Sequence, residues 1–81
     1  MYDLVSFVGR GKIRKDVLKA LDKPMTPTDL ANKLKNHRPT ISRTIIELEK
    51  KKLVKCITPN EKMGRYYEIT NVGIKVLGLV E

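Results

Sequence analysis

The chain has 81 residues and a formal net charge of +8 at neutral pH, with 17 Lys and Arg residues against 9 Asp and Glu residues. This length predicts one domain with a small core, and a composition without Trp means that aliphatic side chains must form most of that core. The basic balance favours a polyanionic partner and argues against an acid-rich binding surface.

The positive charge is concentrated in one part of the chain. Residues 33–65 contain ten basic and three acidic residues, which accounts for +7 of the net +8. A surface that is only solvated would distribute its charge more evenly. The concentration is what a phosphate-binding footprint requires.

Several functional classes are disfavoured by what the sequence lacks. A single cysteine, Cys56, excludes an internal disulfide, and its isolation from other metal-binding residue types argues against a zinc site. No apolar run approaches the length of a membrane span, and residues 1–11 contain Asp3 and lack a basic start, unlike a signal peptide. No phosphate-binding glycine loop or nucleophile motif is present. We therefore expect a cytoplasmic protein that needs no cofactor and is not an enzyme.

The first part of the chain predicts two helices within residues 2–21. Apolar residues at 2, 4, 5, 7 and 8 form one face of a short helix, and Gly9-Arg10-Gly11 interrupts the pattern. Residues 12–21 repeat apolar positions at helical intervals, until the residue before Pro24 is pushed out of the helical region. The apolar N-terminal segment either folds back onto the domain's own core or contacts a second copy.

A helix-turn-helix is predicted over approximately residues 26–52. Thr26 can cap a helix, Pro27 suits its first position, and Asp29 completes a capping box. This short helix runs to about residue 35, residues 36–37 form the turn, and a longer helix begins near Pro39. A short helix, a turn of three to four residues and a longer amphipathic helix are typical of a helix-turn-helix.

The longer helix, from about residue 38 to residue 52, is predicted to read DNA. At 100° per residue, Ile41, Ile45 and Leu48 form an apolar stripe. Polar and charged positions lie roughly opposite this stripe, and basic residues at 50–52 complement the negative end of the helix dipole. The positions opposite the stripe are Pro39, Thr40, Arg43, Glu47 and Lys50.

A hairpin over about residues 53–70 and a helix over residues 71–80 complete the chain. Segments rich in Leu, Val, Ile, Thr and Tyr flank a tip that contains Pro59 and Gly64. Val54 and Cys56 share one face of the first strand, so Cys56 is interpreted as a small packing residue. Thr70 and Asn71 can cap the last helix, which is apolar on more than one face. This excess apolar surface predicts a homodimer through the N- and C-terminal helices.

The combined motifs resemble the MarR-like and ArsR-like transcriptional regulators, particularly small archaeal-type members. The residues that carry the resemblance are Thr26-Pro27-Thr28-Asp29-Leu30-Ala31, Thr40-Ile41-Ser42-Arg43-Thr44-Ile45 and Gly64-Arg65-Tyr66-Tyr67-Glu68-Ile69-Thr70. The resemblance implies an α+β, mostly helical winged helix-turn-helix domain with a three-helix core, a two-stranded β-hairpin wing and a C-terminal helix. It also implies that the third core helix lies in the major groove and that the wing contacts the backbone or minor groove.

The resemblance assigns DNA-binding roles to individual positions. Arg38, Pro39, Thr40 and Arg43 match base-facing positions, Ser42 matches a phosphate-contacting hydroxyl, and Arg65 matches the wing arginine. From chemistry alone, Arg43 can donate two hydrogen bonds to a guanine, or it can contact a phosphate. His37 is expected near phosphates in the turn, and Lys62 and Arg65 can each neutralise a phosphate.

Two positions depart from the family pattern. Lys52 stands where family members usually have the glycine that ends the helix in a left-handed conformation. Lysine there costs up to about 1 kcal/mol, or the helix ends in another way. Ile46 stands where the family generally has a polar residue, and it either has no role or contacts the wing.

The sequence thus predicts a sequence-specific regulator that binds double-stranded DNA as a homodimer. A winged-helix protein-interaction module and a nonspecific, chromatin-like nucleic-acid binder remain the alternatives. RNA binding is a further possibility.

Overall fold

The computed structural model of the protein describes residues 2–81. Five helices and one two-stranded sheet follow each other in a single winged-helix arrangement. The elements are α1 (Tyr2–Gly9), α2 (Lys12–Ala20), α3 (Pro27–Leu34), α4 (Arg38–Lys50), β1 (Val54–Cys56), β2 (Tyr67–Ile69) and α5 (Asn71–Val80). The predicted fold class, mostly helical with a two-stranded wing, is confirmed.

The core is formed by the apolar stripes of α2, α3 and α4, closed by residues from the other elements. Ile41, Ile45 and Leu48 of α4 are at most 1% exposed, which confirms the predicted stripe. Val17 and Leu30 face them from α2 and α3 and are fully buried. Each such side chain contributes roughly 1.5–3 kcal/mol by leaving water.

The predicted capping box begins α3. The Thr26 hydroxyl accepts a hydrogen bond from the Asp29 amide at 3.1 Å, and the Asp29 carboxylate accepts one from the Thr26 amide at 3.4 Å. The helix ends at Lys35, which has a left-handed backbone conformation with φ of 53°. This sharp ending makes the turn to α4 short, with His37 as the residue that precedes the helix.

The end of α4 shows how the helix terminates without the glycine that family members usually have at position 52. Lys52 has φ of 62°, so the lysine itself adopts the left-handed conformation. The Leu53 amide donates to the Leu48 carbonyl at 3.0 Å, and the Lys52 amide donates to the Glu49 carbonyl at 2.9 Å. These two hydrogen bonds form a Schellman motif, which turns the chain directly into β1.

The wing is shorter than the sequence predicts, because ladder pairing is limited to residues 54–56 and 67–69. Beyond Cys56, the Ile57 amide donates to the Tyr66 carbonyl, but the Tyr66 amide donates to the Thr58 hydroxyl at 2.9 Å. A side chain therefore replaces the ladder partner, and regular pairing stops. The tip reverses at Gly64, which has φ of 65°.

A short bridge between Met25 and Tyr67, which no sequence pattern predicts, extends the sheet by one residue pair. Each of the two amides donates to the other residue's carbonyl, at 3.1 and 2.9 Å. The bridge attaches the segment before α3 to the second strand of the wing. The base of the wing is thereby fixed to the helix-turn-helix.

The last helix, α5, is capped by Thr70, whose hydroxyl accepts a hydrogen bond from the Gly73 amide at 3.0 Å. One face of α5 packs against α1 and α2. On the outer side, Ile74 and Leu79 are 56% and 63% exposed, and Tyr2 of α1 is also exposed. None of the helices within residues 2–81 is long and apolar enough to span a membrane.

Candidate nucleic-acid interface

The exposed side of α4 presents the side chains that the sequence predicts to read bases. Arg43 is exposed, whereas Thr40 is half-buried and its carbonyl accepts a hydrogen bond from the Thr44 hydroxyl at 2.9 Å. Arg43 has no ion-pair partner within residues 2–81. Its guanidinium is therefore available for an external acceptor, and donation to guanine or to phosphate is compatible with this exposure.

The start of α4 and the residue before it contribute three further predicted residues. Pro39 is exposed in the first turn, and Ser42 is half-buried. His37 precedes the helix without capping it by its side chain, and its amide donates to the Asn36 side chain at 2.7 Å. The His37 side chain lines a shallow depression on the turn together with Asn32 and Lys35, away from the wing.

Three of the predicted basic residues converge where the wing meets the helix-turn-helix. A hollow of about 120 Å³ is lined by Arg38 of α4 and by Lys62 and Arg65 of the wing, opposite Thr28 in the first turn of α3. We call it the wing hollow. The positive end of the α3 dipole points to the same place, so helix and side chains together favour an anion.

Arg65 remains charged throughout the accessible pH range. The adjacent Cys56 side chain, and then the nearby Tyr67 phenol, raise the pKa of Arg65 above its ordinary value. Its guanidinium carbon lies 6.0 Å from the centre of the Tyr67 ring. The Nε atom is shielded from solvent and has no hydrogen-bond partner among residues 2–81. Arg65 is thus held at the edge of the hollow by neighbours that do not neutralise it.

Other charges in the basic segment are already occupied, so the free positive surface is narrower than the composition suggests. Lys33 pairs with Asp22 at 3.6 Å, and Lys55 pairs with Glu68 at 3.3 Å. Glu47, predicted on the side opposite the apolar stripe, instead pairs with Arg14 of α2 at 3.6 Å. That position therefore faces a neighbouring helix rather than a free reading surface.

Two candidate residues were not assigned a binding role from the sequence. The sequence indicates for Thr28 only a place in the start of a helix, and its position beside the wing depends on the tertiary fold. Ile46 is 50% exposed and lies three residues after Arg43, so the two side chains are neighbours on α4. Within residues 2–81, no cluster of His, Cys, Asp and Glu is arranged to hold a metal ion.

Comparison with models of known protein families identifies the family of this chain. A family model described as the HVO_A0261 N-terminal domain matches residues 2–81. The chain belongs to this family. No curated protein sequence matches it.

Several solved structures with a similar fold are transcription regulators. A MarR family transcription regulator superposes with a TM-score of 0.79 at 21% identity, over 96% of this chain and 54% of that one. BldR from Sulfolobus solfataricus gives 0.74 at 24% identity, over 98% and 61%. MepR from S. aureus, in a structure described as a DNA complex, gives 0.74 at 21% identity, over 98% and 62%. The chain thus spans little more than half of each, and these likenesses confirm the winged helix-turn-helix fold.

Proposed function

We propose that the protein is a transcriptional regulator that binds specific double-stranded DNA sequences as a homodimer. In this proposal α4 lies in the major groove, and the wing contacts the backbone or minor groove. The observation that carries it is the exposed Arg43, which has no ion-pair partner within residues 2–81, on the outer side of a helix whose other side is buried. The fold shared with MarR-type regulators supports the same role.

The base-reading surface in this proposal consists of Pro39, Thr40, Arg43 and Ile46. Arg43 would donate two hydrogen bonds to a guanine, which discriminates against other bases by roughly 1–3 kcal/mol. The methyl of Thr40, Pro39 and the exposed Ile46 offer apolar contact to a thymine methyl group.

Phosphate contacts are assigned to the wing hollow and its surroundings. Arg38, which the resemblance places at a base-facing position, lines this hollow with Lys62 and Arg65, so we assign it to a phosphate instead. His37 precedes Arg38 in the chain and Ser42 follows it by about one helical turn, and both are assigned to other phosphates. Contacts of this kind fix the protein on the duplex and carry no sequence information of their own.

The homodimer is proposed to form through α1 and α5. Tyr2, Val5 and Leu79 line an apolar groove between these helices, and Ile74 adds exposed apolar surface. Asp3 and Lys75 are exposed on the same two helices. In a two-fold dimer the same patch of each copy meets its counterpart, so charges of both signs on these helices suit self-association.

Selection from random-sequence duplexes with the purified chain tests this proposal. We expect a recovered motif with two half-sites about one helical turn apart, and a binding constant that falls steeply with salt. Recovery of no preferred sequence, despite salt-dependent binding, would make the protein a nonspecific nucleic-acid binder. Competition with structured RNA in the same assay distinguishes duplex DNA from RNA as the ligand.

A winged-helix protein-interaction module is the second candidate, and the exposed apolar surface of α5 favours it. In that case the basic face has no functional role. The double variant Arg43→Ala and Arg65→Ala would then retain partner binding, and the isolated chain would show only weak, nonspecific affinity for DNA.

A further inference from the structure

Arg14 of α2 joins three helices. One of its terminal nitrogens donates to the Phe7 carbonyl near the end of α1 at 2.8 Å, and its Nε lies 3.6 Å from the Glu47 carboxylate of α4. The guanidinium also stacks on the Phe7 ring, 3.9 Å from its centre. A planar guanidinium is suited to this task, because it can donate hydrogen bonds in its plane while it stacks.

Gly11 provides the space that Arg14 needs. A Cβ atom at this position would lie 2.7 Å from Cδ of Arg14 and 3.1 Å from its Nε. The backbone of Gly11 is extended, with φ of −123°, a conformation open to any residue. Space for the Arg14 side chain, and not backbone freedom, is therefore the structural reason for a glycine here.

The end of α4 contacts the same aromatic ring. The Lys51 ammonium lies 5.5 Å from the centre of Phe7, which is itself partly buried against the core. Two contacts thus connect the last turn of α1 to α4. Arg14 bridges the Phe7 carbonyl and Glu47, and the Phe7 ring contacts Lys51. Since α1 packs against α5, this connection runs from the apolar groove of the terminal helices to α4.

We infer that Arg14 is a positioning residue that fixes α4 relative to the terminal helices. This inference rests on the proposed function, in which the terminal helices form the dimer and α4 reads DNA. In such a dimer the placement of each α4 on its own α1 sets the distance between the two reading helices. Arg14 thereby sets the half-site spacing that the dimer accepts, without touching DNA itself.

The test compares Arg14→Met and Gly11→Ala with two matched controls. Arg10→Met removes the same charge from an exposed side chain whose one hydrogen bond is a long contact of 3.4 Å to the Ser6 carbonyl. Gly9→Ala adds the same methyl where no atom lies within 4 Å. Gly11→Ala displaces the Arg14 side chain but retains all charges. It therefore separates the effect of the position of Arg14 from the effect of net charge. Circular dichroism confirms that each variant is folded at the assay temperature.

The first measurement is binding to a set of duplexes that carry the selected half-sites at varied spacing. We expect Arg14→Met and Gly11→Ala to lose roughly tenfold in affinity at the wild-type spacing, comparable to one charge-assisted hydrogen bond. They should also accept a broader range of spacings, with an unchanged salt slope. The controls should match the wild type. Wild-type affinity and spacing preference in both Gly11→Ala and Arg14→Met would overturn the inference.

The second measurement is amide hydrogen exchange of the free protein, which does not depend on DNA binding. We expect faster exchange in the last turns of α1 and α4 in both variants, and no change in the controls. If the wild type binds no DNA, the proposed function fails, while this result still decides whether Arg14 fixes α4. Unchanged exchange in both variants would overturn the positioning role by itself.

Discussion

Lys52 occupies a backbone conformation that lysine rarely adopts. Its φ of 62° brings Cβ close to the following carbonyl, which costs an L-residue other than glycine about 1 kcal/mol or more. The Schellman hydrogen bonds around it tie α4 to β1, and this geometry fixes the conformation despite the strain. The strain is local, so it can be measured by a single substitution.

We expect Lys52→Gly to raise the free energy of unfolding by about 0.5–1 kcal/mol, after allowance for the greater freedom of glycine in the unfolded chain. Lys50→Gly is the control, because it removes the same charge but lies inside α4, where glycine lowers stability by up to about 1 kcal/mol. Denaturant unfolding measures both. Equal losses in the two variants would show that residue 52 carries no such strain.

Tyr67 makes the stability of the fold depend on pH in the alkaline range. Burial raises the pKa of its phenol above the ordinary value near 10, since the charged form loses its hydration. The folded chain therefore holds this proton more tightly than the unfolded chain. The contribution is complete below about pH 10 and is lost as the pH rises further.

Tyr67→Phe should remove this dependence. We expect the difference in unfolding free energy between the wild type and the variant to be constant from pH 7 to about pH 9. Above about pH 10 the unfolding free energy of the wild type should fall relative to that of the variant. Denaturant titrations across this range measure it. A constant difference up to pH 11 would contradict the assigned burial effect.

At the level of single residues, the sequence predicts what depends on near neighbours. The capping box of Thr26 and Asp29 and the α4 stripe follow from spacing, and the structure confirms both. The pairing of Glu47 with Arg14 does not follow from spacing, because the two residues lie on different helices. The same holds for the approach of Arg38 to the wing, which only the packed fold brings about.

The contact between α5 and the base of the wing depends on one glycine. A Cβ atom at Gly73 would come within 2.7 Å of the Ile69 side chain and would also collide with the Leu53 carbonyl. The Leu53 carbonyl cannot move freely, since it also accepts hydrogen bonds from the Thr70 amide and hydroxyl. The first turn of α5 is therefore packed directly on the residue that joins α4 to β1 and on the last residue of β2.

We expect Gly73→Ala to lower the free energy of unfolding by about 1–3 kcal/mol through this overpacking. Gly78→Ala, in the same helix but with no atom near its Cβ position, should raise it by up to about 1 kcal/mol. Thermal and denaturant unfolding at low protein concentration give both values. Similar effects of the two substitutions would argue against the close contact.

At the level of elements, the sequence predicts which helices and strands exist and in what order, and it predicts their lengths less well. Each helix has an apolar period, capping or proline signals mark a boundary of every helix except α1, and all five helices are present. The wing strands proved shorter because the Thr58 hydroxyl takes the Tyr66 amide, an interaction that strand propensity does not report. The Met25–Tyr67 bridge pairs residues 42 positions apart, and no local pattern indicates it.

The whole molecule is small relative to a DNA site. The longest extent of residues 2–81 is 33 Å, close to one helical turn of DNA, so under the proposed function one chain contacts one half-site. Two half-sites require two chains, and the apolar groove of α1 and α5 is the surface we assign to their contact. Part of the excess charge in residues 33–65 lies, in the fold, at Arg43 on the outer side of α4 and in the wing hollow.

The most direct test of the central claim is selection from random duplexes carried out in parallel with the wild type, Arg43→Ala and Lys62→Ala. We expect the wild type to recover a two-half-site motif, Arg43→Ala to lose the preference at one base pair in each half-site, and Lys62→Ala to keep the motif with weaker binding at all sequences. An Arg43→Ala variant that recovers the unchanged motif would contradict the account, because α4 would then not use its exposed arginine to read DNA bases.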